Sequence, residues 1–321
     1  MESARVDCDA TGGGMRDPPL QLEQDVEDVD SSTKELEESR LKKKEHKKRS
    51  KDGIRKSESE AEVPEWKKAK SSDFQEFDRD DDFLPVEVSG RIKWSVTDIE
   101  YRARAHSNPL NDGLFDVPIS PESYEGDQNA EWADIGCGYG GLALELATHF
   151  PEKHIIGLEI RQRVHEYCNL QLHQLRKEYA SENGYQNVSF VRSNAQKYLP
   201  HFFRKGQLSK LLICYPDPHF KKKKHRQRIV SPQLLAEYAY IMAPHGLLYI
   251  VTDVEELYQW MTNRIDAFSQ FQRVGKEEIQ IDPVAAYVRS FTNEAARVKK
   301  HHRPKFFACY SRLPHDTIKL S

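Results

Sequence analysis

Two stretches of the 321-residue sequence concentrate residue types that do chemistry. One is Asp134-Ile135-Gly136-Cys137-Gly138-Tyr139-Gly140-Gly141, where glycines follow a short apolar run. Glycine is needed where a chain leaves a strand in a sharp turn and lets a ligand approach the backbone with no Cβ in the way. The setting suits a nucleotide-type cofactor. Glu159 stands 23 residues after Gly136, closing Gly157-Leu158-Glu159, where an acidic side chain accepts hydrogen bonds from ribose hydroxyls. The other stretch is Tyr215-Pro216-Asp217-Pro218-His219-Phe220, followed at once by Lys221-Lys222-Lys223-Lys224-His225-Arg226-Gln227-Arg228. A proline on each side holds the Asp217 carboxylate in a defined direction, as a reacting group requires. The six Lys and Arg of residues 221–228, with no acid among them, repel one another unless solvated or set against a polyanion. A substrate that brings phosphates answers that condition, and phosphate contacts position a nucleic acid without reading its sequence.

Glycine spacing alone leaves the cofactor class open. Gly136, Gly138 and Gly140 give the G-x-G-x-G of Rossmann-like methyltransferases, while Gly136, Gly138 and Gly141 give the dinucleotide spacing G-x-G-x-x-G. Glu159 serves either. Arg192-Ser193-Asn194-Ala195 offers a polar side chain and backbone to an adenine edge beside the strand ends. Asp253, at the end of another apolar run, is either a second carboxylate near the same crevice or a helix cap. Upstream, Tyr101-Arg102-Ala103-Arg104-Ala105-His106-Ser107-Asn108-Pro109 is cationic and rich in donors, and Arg104 and His106 suit phosphate or base contacts. A phosphate on Ser107, which follows Arg102 and Arg104, would repel an RNA there.

These groups need a frame that brings them to one edge. Short apolar runs alternate with helix-period segments past Gly90, the pattern of a doubly wound α/β domain with a mostly parallel sheet and helices on both faces. Strands are expected over residues 131–135, 154–158, 188–191, 208–214, 246–251 and 305–310. Helices are expected over 141–150, 163–182, 233–242 and 254–268. Residues 1–90 are too polar to bury a core and are expected to form a disordered charged tail, leaving one domain over 91–321. Within that tail, the basic cluster of residues 40–49 is like a nuclear-import signal, so the nucleus is the expected compartment, with the cytoplasm second. No apolar run is long enough to span a bilayer, so a membrane partner is not expected. The five cysteines are scattered, with no C-x-x-C pair, so neither a zinc site nor a disulfide framework is expected, and no metal is assigned.

Taken together, Ala-Asp-Ile-Gly-Cys-Gly-Tyr-Gly-Gly, Gly-Leu-Glu-Ile-Arg, Arg-Ser-Asn-Ala, Tyr-Pro-Asp-Pro-His-Phe-Lys and Arg-Ala-His-Ser-Asn-Pro resemble the catalytic subunit of the eukaryotic tRNA (guanine-N7)-methyltransferases. The resemblance covers roughly residues 101–313. It implies a class I, Rossmann-like fold, S-adenosylmethionine as cofactor, and methyl transfer to N7 of a guanine in the variable loop of tRNA. Carried over, it implies cofactor contacts at Gly136, Gly138, Glu159, Arg161, Asn194, Ala195 and Cys214, with Thr292 and Glu294 closing over the cofactor and Asp217 in the active site. By itself Thr292-Asn293-Glu294 reads as a helix start. The resemblance also sets the Arg104 and His106 segment and the basic loop along the RNA, with Lys221, Lys224, His225 and Arg228 as expected tRNA contacts. It further implies a partner subunit, a WD-repeat β-propeller.

Two departures stand out. Where the family carries a Met-Asp-Trp-like segment followed by Tyr-Pro, Ser123-Tyr124-Glu125-Gly126-Asp127-Gln128 runs almost directly into Glu131. A helix near the active site is therefore expected to be absent. Lys299-Lys300-His301-His302-Arg303-Pro304 replaces an Asn-Gly-Gly-containing turn. The competing expectations are a noncatalytic RNA-binding subunit that retains the fold and, from the glycine spacing, an NAD-dependent oxidoreductase.

Overall fold

The computed structural model describes residues 88–92, 107–110 and 115–314. The tail expected over residues 1–90 lies outside the described residues except for its last three, and Arg104, His106 and the basic cluster of residues 40–49 lie outside them too.

The described strands are β1 (Trp132–Ile135), β2 (Ile155–Glu159), β3 (Val188–Arg192), β4 (Leu208–Cys214), β5 (Met242–Thr252), β6 (Phe271–Arg273) and β7 (Phe306–Arg312). They form one seven-stranded sheet in the order β3-β2-β1-β4-β5-β7-β6. β1 to β5 pair in parallel, and β7 lies antiparallel between β5 and β6. The parallel strands are apolar nearly throughout because both faces are covered: every residue of β1 and β2 is buried.

The described helices are α1 (Gly141–His149), α2 (Gln162–Glu178), α3 (Ala195–Phe202), α4 (Pro232–Ile241), α5 (Glu255–Asp266), α6 (Lys276–Gln280), α7 (Pro283–Ser290) and α8 (Asn293–Lys300). On one face of the sheet, Leu142 and Leu146 of α1, Leu172 and Leu175 of α2, and Val284 and Val288 of α7 share a core with Trp132 and Ile155. On the other, Leu199 of α3, Leu235 and Tyr238 of α4, and Met261 and Ile265 of α5 pack with Ile135 and Ile213. Two cores on one sheet are the three-layer architecture that alternating strands and helices lead to.

The expected strands and long helices are present with shifted ends. β5 begins at Met242, and the expected helix over 163–182 stops at Glu178, followed by a separate turn at Ala180–Glu182 that ends on left-handed Asn183. α3, α6, α7 and β6 add to the expected set. α3 is short and carries Pro200, and β6 has three residues, so neither holds enough period to show in sequence.

Both departures from the family pattern have a defined path. After a 3-10 turn at Pro121–Ser123, the short connection into β1 is tied down by side chains: Gln128 donates through Nε2 to the Tyr124 carbonyl, and Gln207 donates to the Ala130 carbonyl. Near the carboxyl terminus α8 is capped by His301, and His302 (φ 51°) takes the left-handed position in place of a glycine. Residues 88–92 lie against the same domain: Ser89 donates through its amide and hydroxyl to the buried Glu145 carboxylate on α1, and Ile92 enters the core. No helix among the described residues is long and apolar enough to cross a membrane.

Candidate active site at the carboxyl ends of the strands

Because β1 to β5 run parallel, their carboxyl ends share one edge, and both the glycine turn and the Asp217 loop follow such an end. The turn after β1 hangs from β2: the Gly136 and Cys137 amides donate to the Leu158 carbonyl. Gly136, Gly138 and Gly140 all have left-handed φ, at 74°, 58° and 78°. A Cβ on Gly136 would meet none of the described residues within 4 Å, so this glycine faces open space. A Cβ on Gly140 would lie 2.5 Å from the Phe190 ring and 3.3 Å from Cys168 Sγ. Gly140 is thus required by packing as well as by φ. Gly141 begins α1 without positive φ, so the spacing the backbone demands is G-x-G-x-G.

Glu159 is 3% exposed at the end of β2. Its Oε1 accepts from the Arg161 amide and Nε, and its Oε2 from Arg161 Nη2 and the Gly138 amide. The second strand thereby holds the loop that the first strand feeds. Beside it, Asp134 is 2% exposed, and its Oδ1 has no hydrogen-bond partner among the described residues. Burial first, and the Glu159 charge second, push the Asp134 carboxyl up to about 7. Asp134 is a functional candidate that sequence reasoning passed over. Its signal is an acid two residues before Gly136 in an otherwise apolar strand.

The chain leaves β4 through Tyr215, whose amide donates to the Val251 carbonyl at 2.7 Å. Tyr215 (φ 49°) and His219 (φ 45°) are both left-handed, so Pro216-Asp217-Pro218 is held between two uncommon backbone states. Asp217 Oδ1 accepts from the His219 amide at 3.1 Å, and Oδ2 lies 3.5 Å from His219 Nδ1. A partly exposed carboxylate is thus held at the edge where the glycine turn opens.

The family model described as "Putative methyltransferase" matches residues 128–308. A tRNA (guanine-N(7)-)-methyltransferase of Brugia malayi is 45% identical over 227 residues, covering 68% of this chain and 87% of its own length. The chain belongs to the tRNA (guanine-N7)-methyltransferase family. A relative of the same name from Arabidopsis thaliana is 44% identical over 227 residues, covering 66% of this chain and 90% of its own. Among solved structures, an S-adenosylmethionine-dependent methyltransferase from Aquifex aeolicus matches 58% of this chain and 83% of its own at 10% identity and a TM-score of 0.38.

The remaining positions carried over from the family are placed as follows. Asn194, 1% exposed, caps α3 by accepting from the Gln196 amide and donates through Nδ2 to the Pro109 carbonyl at 2.7 Å. Its side chain therefore anchors the upstream segment, while Ala195 begins the helix. The neighbouring Ser193 Oγ is buried with no partner among the described residues. Cys214 ends β4, and burial pushes its thiol well above the ordinary range. Thr292 caps α8 through Oγ1, which accepts from the Ala295 amide, and Glu294 pairs with Arg297 on the same helix. Asp253 precedes the cap of α5, which is Val254, and pairs instead with Arg303.

Lys221 and Lys224 are exposed, and the run folds as a 3-10 segment, Lys222–Gln227. His225 is half turned in, 3.8 Å from Glu256 and edge-on to Trp260. Arg228 corrects the sequence expectation. It is 1% exposed, donates through Nε to the Pro218 carbonyl and through Nη2 to Glu256, and lies over the Trp260 ring. A guanidinium enclosed in this way supports the Asp217 loop and does not present itself to a phosphate.

A ligand that brings hydrogen-bond donors, as ribose hydroxyls and cationic groups do, fits the acceptors at this edge. The open face of Gly136 admits it, and the orphaned Asp134 Oδ1 and Ser193 Oγ lack the partners it would bring. The residues present fit S-adenosylmethionine.

Proposed function

We propose that this protein transfers a methyl group from S-adenosylmethionine to N7 of a guanine in the variable loop of tRNA. The observation that carries the reading is the Asp217 carboxylate, held between left-handed Tyr215 and His219 at the same sheet edge as the glycine turn. When bound, S-adenosylmethionine supplies an electrophilic methyl group on a sulfonium. Guanine N7 has an in-plane lone pair and needs no deprotonation, so the site has to align and to manage charge. Asp217 orients the base and offsets the positive charge that develops on its ring. It needs no reorganisation, because its loop is already held. Glu159, whose carboxylate is filled by Arg161 and the Gly138 amide, would accept from the ribose hydroxyls by giving up a bond to Arg161, Asp134 would take a donor on its orphaned oxygen, and Gly136 leaves room for the approach. Lys221 and Lys224, with Arg104 and His106 upstream, hold phosphates.

Nothing favours a nicotinamide reaction: the antiparallel β7 between β5 and β6 departs from the dinucleotide strand order, and the turn uses Gly140 as its third glycine. A WD-repeat β-propeller as partner subunit is supported by the family resemblance, and residence in the nucleus by the basic cluster of residues 40–49.

The test is methyl transfer from labelled S-adenosylmethionine to a tRNA pool, with and without a WD-repeat partner, followed by mapping of N7-methylguanine. Asp217→Ala is expected to reduce turnover by about 100-fold or more with the fold retained. tRNA and cofactor binding without turnover by the wild type would make the protein a noncatalytic binding subunit. Near-normal turnover of Asp217→Ala would remove that residue from the reaction.

A further inference from the structure

Phe220 follows the reacting loop directly and is 66% exposed. Single exposed apolar side chains are ordinary, and Ile119 and Ile281 need no special account. Phe220 differs in what surrounds it. Three residues before it stands Asp217, and Lys221, Lys222, Lys223 and Lys224 after it are all exposed. Its direction is set by His219, which is left-handed, 9% exposed, and bonded through its amide to Asp217. His219 is thus turned into the protein and Phe220 out of it.

We propose that Phe220 is a stacking platform for an unstacked base of the RNA substrate and so a positioning residue for methyl transfer. The inference rests on the function proposed above and names how the RNA is held. A guanine can bring N7 in line with a methyl group only after its nucleotide leaves the regular stack. The exposed base face then needs a new apolar partner. An aromatic ring beside a cationic track is the arrangement that binds single-stranded nucleic acid, the ring taking a base face and the lysines the backbone. A ring carried on a loop already held by prolines and left-handed residues loses little freedom on stacking. An acidic protein surface is the other occupant that would match Phe220 and its lysines, and the experiment separates that case.

Wild type, Phe220→Ala, Phe220→Leu and Phe220→Tyr, all in the full chain, are compared for tRNA Kd, S-adenosylmethionine Kd, and kcat and KM for methyl transfer. Leu keeps apolar bulk and lacks a π face. Ala and Leu are each expected to raise the Kd and KM for tRNA about 10-fold, with Tyr within about twofold of wild type and cofactor affinity unchanged in all. Wild-type behaviour of Phe220→Leu would overturn the proposal. So would a Phe220→Ala variant that loses affinity for a protein subunit while its tRNA Kd stays the same. A wild type that binds tRNA and does not methylate it would sink the functional reading alone, since the effect of Phe220 on tRNA Kd is read without turnover.

Discussion

Arg228 donates through Nε to the carbonyl of Pro218 at 2.9 Å, so a buried guanidinium braces the residue next to Asp217. The same side chain reaches Glu256 at the start of α5 and covers Trp260, which joins the loop to that helix. A lysine cannot reproduce this planar fork. Arg228→Lys is expected to lower kcat by about 10-fold or more while leaving the Kd for S-adenosylmethionine unchanged. Steady-state kinetics beside cofactor calorimetry check this, and an unaltered kcat would show that the brace is dispensable.

Asp134 gives the unliganded protein a pH dependence. Its carboxyl is pushed up to about 7 in the folded chain from an ordinary value of 3.8, so the native state holds its proton where the unfolded state has released it. The stability it contributes is fully present below the unfolded value and is lost as pH rises through about 7. Relative to Asp134→Asn, the wild type is expected to lose on the order of 3 kcal/mol between about pH 5 and pH 8. Melting curves of both proteins across that range test the sign. Saturating S-adenosylmethionine, by giving the carboxylate a donor, should flatten the difference.

Gly136 and Gly140 separate binding from folding. Gly136→Ala strains a left-handed residue by about 1–2 kcal/mol and fills open space. It should leave a folded protein that has lost cofactor affinity. Gly140→Ala drives a Cβ into the Phe190 ring and should destabilise by about 3 kcal/mol or more. Combining it with Phe190→Leu should recover part of that loss in denaturant titrations. A Gly140→Ala protein as stable as Gly136→Ala would contradict the packing account.

The salt dependence of tRNA binding distinguishes exposed cations from enclosed ones. Neutralising one phosphate changes the slope of log K against log salt by about 0.7–0.9. Replacing Lys221 and Lys224 together with Ala should reduce the slope by about 1–2. Arg228→Gln, which removes the charge, should leave it unchanged, because the arginine side chain is 1% exposed. Equal slopes for the double variant and wild type would exclude the two lysines from the RNA path.

Much of the fold was legible in sequence because continuous apolar runs of strand length, separated by helix-period segments, have few stable arrangements other than a covered parallel sheet. That pattern located Gly136, Glu159 and Asp217, since each lies at or just past the end of a parallel strand. Short elements such as α3 and β6 were hidden, because a helix interrupted by Pro200 and a strand of three residues carry no clear period.

Chemistry written in residue type and short spacing belongs to the sequence: a glycine turn, an acid after the second strand, an aspartate between prolines, a run of cations. Which of these groups faces solvent belongs to the tertiary structure. Neighbouring cations look alike along the chain, yet packing against Trp260 and Glu256 turns Arg228 inward and leaves Lys221 and Lys224 outside. Two glycine templates shared Gly136 and Gly138, and the Phe190 ring, brought from β3 against the turn, singled out Gly140. Burial is a property of the assembled layers, and so the orphaned oxygen of Asp134 and the raised affinity of its carboxyl for a proton exist only once the sheet has closed around them.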